Sequence, residues 1–95
     1  MSSFDSVLRF LDELKTENIV FKRHFEERIK QRPINKGMTI KLLKQKDRLL
    51  KVEEQSKGKY KVWLKLSNKY NLVLIIAISK KDLYIITGWN TNTQW

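Results

Sequence analysis

An α+β fold, with helices first and an antiparallel sheet after them, is predicted by the order of hydrophobic patterns along this chain of 95 residues. Up to Leu43 the apolar residues recur at helical spacing, whereas from Arg48 onward they alternate or run in short blocks divided by turn residues. The length allows one core, and 41% hydrophobic residues with 11% aromatics suffice to build it. The predicted arrangement is one domain over residues 1–95, its helices packed on one face of a curved four-stranded antiparallel sheet. Within it residues 1–17 form an additional N-terminal helix, 18–47 the helical part and 48–90 the sheet.

Phe4, Val7, Leu8, Leu11 and Leu14 mark one face of a first helix from about residue 3 to 16, with Ser2 and Asp5 as a capping box at its entry. Asn18 to Phe21 is a short β-favouring patch. Phe21, Phe25 and Ile29 then line the apolar side of a second helix that ends near Arg32, because Pro33 disfavours helix at the residue before it. Asn35 is placed to cap a third helix holding Met38, Ile40, Leu42 and Leu43, its first turn weakened by Gly37 and Thr39.

Four strands follow: Leu49 to Glu54, Lys59 to Leu66, Leu72 to Ser79 and Leu83 to Trp89. Links this short predict a meander. In the second strand Tyr60, Val62, Leu64 and Leu66 face the core, and Lys59, Lys61, Trp63 and Lys65 face away from it. The third is apolar on both sides, so it belongs at the centre of the sheet. Helices on one face cover only half of it; the other half is left to its own aromatic side chains, to a second copy of the chain or to another protein.

Twenty Lys and Arg against ten Asp and Glu give a formal net charge of +10, which points to a polyanionic partner, RNA or DNA, rather than a small neutral metabolite. The chain has no cysteine, which excludes disulfides and thiolate metal sites, and its carboxylates are scattered rather than grouped. No metal and no cofactor are expected. The longest apolar run, Leu72 to Ile78, is too short to span a bilayer and the N-terminus does not have the pattern of a signal peptide, so a soluble, cytoplasmic protein without a membrane partner is expected.

His24, Arg28 and Arg32 recur every four residues and so stack along one edge of the second helix. His24 is the chain's one histidine, suited to act as general acid or base in RNA phosphodiester cleavage; the competing reading is an ordinary surface or capping residue. Arg28 and Arg32 would stabilise charge on a phosphorane-like transition state, or else belong to a solvated helix face paired with Glu26 or Glu27. Lys61, Trp63 and Lys65 form a second candidate surface, where a base stacks on the indole and the lysines meet phosphates. Its competing reading is a strand face whose lysines discourage aggregation. Tyr84, Thr87 and Trp89 close the last strand, with packing as their default role.

The segment Ile19-Val20-Phe21-Lys22-Arg23-His24, continued by Arg28 and Arg32-Pro33-Ile34, resembles the strand and His-Ala-x-x-Arg-x-x-x-Arg-x-Ile opening of small toxin-like domains related to the RelE/ParE superfamily. Tyr60 to Lys65, Tyr70 to Leu74 and Ile85 to Trp89 are similar to the sheet half of those domains. The resemblance implies metal-independent RNA cleavage, often of ribosome-bound mRNA, and neutralisation by a cognate antitoxin. By match, His24, Arg28, Arg32 and Thr87 inherit the candidate site, with Phe25 departing from the usual small residue after the histidine. The function expected is a toxin-type endoribonuclease, set against a non-catalytic RNA- or DNA-binding protein and against a protein-interaction module that pairs with an antitoxin or with itself.

Overall fold

The computed structural model of the protein describes residues 3–30 and 35–92. Helix α1 (Ser3–Glu13) leads through a 3-10 turn at Thr16–Asn18 into strand β1 (Ile19–Phe21) and helix α2 (Arg23–Ile29). Helix α3 (Lys36–Leu43) follows, then a second 3-10 turn and the strands β2 (Leu49–Ser56), β3 (Lys59–Lys65), β4 (Tyr70–Ser79) and β5 (Asp82–Asn92). The sheet order is β1-β5-β4-β3-β2, so β4 is central as its doubly apolar sequence requires.

The α+β class, the one-sided helices and the antiparallel meander of four strands agree with the sequence; a fifth strand was not expected. The sheet has five strands and is mixed, because the β-favouring patch at Ile19–Phe21 pairs parallel to β5 in the register Ile19↔Leu83, Val20↔Tyr84 and Phe21↔Ile85. An Asn18 Nδ2 donor to Asp82 Oδ1 at 2.8 Å ties the start of β1 to the start of β5, and the Lys22 N–H donates to the Ile85 carbonyl at 2.9 Å at its end. The first helix also stops at Glu13, short of residue 16, where the chain turns through the 3-10 segment to reach the sheet edge. The second stops at Ile29, before the expected end near Arg32; Ser2 of the expected capping box, Arg32 and Pro33 lie outside the described residues.

One core holds these elements together. Val7, Leu11 and Leu14 from the N-terminal helix, Phe25, and Leu42 and Leu43 bury against Val62, Leu64, Leu72, Leu74, Ile76, Leu83 and Ile85. All of these strand residues lie on the same face of the sheet, opposite to Lys61, Trp63 and Val73. At the start of α3 the Asn35 Oδ1 accepts from the Met38 N–H at 2.7 Å, and the Thr39 hydroxyl donates back to the Asn35 carbonyl at 2.9 Å. The buried Thr39 thus spends its hydroxyl inside the turn it was expected to weaken. Asn35→Ala should cost about 1 kcal/mol, measurable as a lower urea midpoint with an unchanged slope.

The hairpins are short. Gly58, at φ 78°, turns β2 into β3 in the left-handed region that glycine enters without penalty, and its carbonyl accepts from the Ile78 N–H at 2.8 Å. Between β4 and β5 the register shifts: Ile76 opposes Ile85 and Ile75 opposes Thr87, which leaves Ile86 as an extra residue. Leu83 and Ile85 point to the core before this bulge, and Gly88 does so after it. Thr87 is therefore sent to the opposite face.

Candidate nucleic-acid interface

The face of the sheet that no helix among the described residues covers carries a basic and aromatic surface. Trp63 on β3, Val73 on β4 and Trp89 on β5 are consecutive cross-strand partners. Val73, only 1% exposed although it lies outside the helix-side core, is sealed between the two indoles. On the same face Ile75 and Ala77 stay half-buried.

Lysines lie on the indoles. Lys51, opposite Trp63 across β2 and β3, holds its ammonium 4.8 Å from the Trp63 ring centroid. Lys61 sits 4.9 Å from Trp63 and 5.5 Å from Trp89, between the two rings. Each contact places a cation on the electron-rich face of an aromatic ring, a modest attraction at a half-exposed site. Lys59 and Lys65 point to the same side by alternation, and Glu53, cross-strand from Lys61, is the acid set among them. Lys22 continues the pattern at the far edge, its ammonium 5.0 Å from the Tyr84 ring.

Two polar atoms on this face are buried and without a hydrogen-bond partner, Asn71 Oδ1 and Thr87 Oγ1. Asn71 is 1% exposed and lies two residues before Val73 on the same side, between Lys65 and Thr91. A groove of about 700 Å³ lies elsewhere, between the end of α1 and the β4–β5 turn. Its lining of Glu13 and Glu17 against Lys15, Lys80 and Lys81 mixes both signs and suits a polyanion less well than the lysine-rich sheet.

The residues singled out in the sequence fall into two groups. Lys61, Trp63 and Lys65 share the open face, joined by Thr87 and by two residues the sequence did not place there, Lys51 and Trp89. His24 and Arg28 lie one turn apart on α2, which packs against β5 from the helix side through the buried Phe25. Thr87 faces away from that helix, so the fold does not gather it with the histidine. Arg32 lies outside the described residues. Among the described residues no group of three or more His, Cys, Asp and Glu could hold a metal ion.

On α2 the acids are already engaged. Arg23 Nε pairs with Glu27 at 3.2 Å, and Lys36 Nζ pairs with Glu26 at 2.5 Å, a contact that holds the Glu26 carboxyl below its ordinary range. His24 is exposed and Arg28 half-buried, and among the described residues neither takes part in an ion pair.

A family model matches residues 5–76, from α1 to near the end of β4. The chain belongs to the MJ0788 family. The match shows no link to the RelE/ParE superfamily. Comparison with curated proteins and with solved structures finds no match. No helix among the described residues is long and apolar enough to cross a membrane.

Proposed function

We propose that the open sheet face of this MJ0788-family chain binds single-stranded nucleic acid. The observation that carries this reading is the platform of Trp63 and Trp89 with Lys51 and Lys61 already on its rings. Unpaired bases offer flat π-faces that stack on indoles regardless of sequence, while lysine ammonium groups track the phosphates between them. Bases in a duplex are stacked on each other, so single strands fit the platform better. The two indoles stand on strands separated by β4, about 10 Å apart at strand spacing, which lets them serve successive bases.

Affinity should depend steeply on salt. Three or four phosphate contacts from Lys51, Lys59, Lys61 and Lys65 correspond to a roughly 20- to 50-fold loss between 50 and 200 mM monovalent salt. Fluorescence anisotropy with labelled oligouridylate and oligothymidylate, beside a duplex of equal length and an acidic peptide, makes the test. Tighter binding of the duplex, equal binding of the peptide, or no binding of any single strand at low salt would overturn the reading. The endoribonuclease expectation is read in the same tubes: RNA shortened by the wild-type chain in chelator and left intact by His24→Ala would assign cleavage, whereas intact, bound RNA is the outcome expected of a binding face.

A further inference from the structure

The basic flank of α2 is not used by the sheet face, yet the chain connects the two at Lys22. Strand β1 is three residues long and covers β5 only from Leu83 to Ile85. Lys22 follows it directly, lays its ammonium over Tyr84 on the open face, and precedes the first residue of α2. A ligand leaving the sheet there crosses the single strand β1 and rounds the sheet edge to reach the helix, which packs on the opposite face.

What it would meet is a pair of donors that, among the described residues, take part in no ion pair. All ten Asp and Glu of the chain lie within the described residues, and the two on α2 are taken by Arg23 and Lys36. That leaves the imidazole of His24 and the guanidinium of Arg28 stacked one turn apart on the same flank. The guanidinium presents a planar fork matched to phosphate oxygens, a geometry that a lysine does not supply.

We infer that the nucleic-acid track continues from the Trp63–Trp89 platform past Tyr84 and Lys22, over the β1 edge, to phosphate contacts at His24 and Arg28. This inference rests on the binding function proposed above. The occupant is the same strand's backbone, chosen over an acidic protein segment because the track begins at stacking surfaces and runs along cations.

Strand length separates the two halves of the track. Anisotropy titrations over a range of salt would compare a labelled single-stranded 4-mer, long enough for the platform alone, with a 12-mer that reaches α2. The variants are His24→Gln/Arg28→Gln and, as the charge-keeping control, Arg28→Lys. The double variant should weaken the 12-mer by roughly tenfold and lower its salt slope by roughly 0.7, the worth of the one phosphate neutralised by the permanently charged Arg28, with the 4-mer unchanged. Arg28→Lys should keep the slope and lose part of the affinity. Equal losses for both lengths, an unchanged 12-mer slope, or a wild-type 12-mer with the same slope as the 4-mer would overturn the inference alone. A wild-type chain that binds neither length would overturn it together with the binding function.

Discussion

Trp63→Leu is expected to lower the affinity for a single-stranded oligonucleotide by roughly 5- to 150-fold, the range that corresponds to the 1–3 kcal/mol of one stacked base. Leucine is the informative replacement. It keeps an apolar cover over Val73, which is 1% exposed, and removes only the flat π-face. Alanine would also uncover Val73 and mix a folding defect with a binding one. Trp63→Phe should retain most of the affinity, since a smaller ring still stacks and still receives the ammonium groups of Lys51 and Lys61. Trp89→Leu should behave in the same direction, and the two losses should be close to additive if each indole takes a separate base. Anisotropy gives the affinities and thermal unfolding confirms that the leucine variants remain folded. A Trp63→Leu chain that binds as well as wild type would show that the lysines alone make the interface, and stacking would have to be abandoned.

Which parts of this picture were legible in the sequence follows from the length of each pattern. Residues 59–66 alternate over a whole strand, so the face carrying Lys61, Trp63 and Lys65 could be read without coordinates. Asn35 ahead of an apolar helical run gave the cap of α3, and the doubly apolar third block gave the central strand. Strand β1 was not legible in the same way. Its three residues show too little alternation to be told from a loop entering a helix, and its pairing with β5 is decided by contacts more than sixty positions away. Trp89 joins Trp63 only through the β3–β4–β5 register, which composition does not encode. Thr87 is the clearest case: straight alternation from Leu83 and Ile85 would place it on the core side, near α2 and its histidine. The extra residue Ile86 reverses the phase and turns Thr87 to the open face.

Phe25→Ala should be the most damaging single change to the fold, costing about 3–5 kcal/mol, because the ring is fully buried and its removal leaves a cavity beneath β5. The site around it is shaped by a missing side chain. A Cβ placed on Gly88 would stand 2.7 Å from Leu74 Cδ2, 3.2 Å from Phe25 Cε2 and 3.2 Å from the Val73 carbonyl oxygen. The leucine tip can swing aside, but the phenyl ring lies in a packed core and the carbonyl belongs to the sheet ladder. Gly88→Ala should therefore destabilise by about 1–3 kcal/mol through overpacking. Phe25→Leu in the same chain should recover part of that loss, since a shorter side chain makes room for the methyl group. Urea unfolding of the four proteins in the Phe25→Leu and Gly88→Ala cycle measures the coupling, expected at about 0.5–3 kcal/mol in the compensating direction. Additivity within a few tenths of a kcal/mol would mean that the backbone of Val73, not the ring, sets the limit at Gly88. Either result bears on the opposite face, because Gly88 lies between Thr87 and Trp89 on β5, and whatever displaces that strand displaces one of the two indoles of the platform.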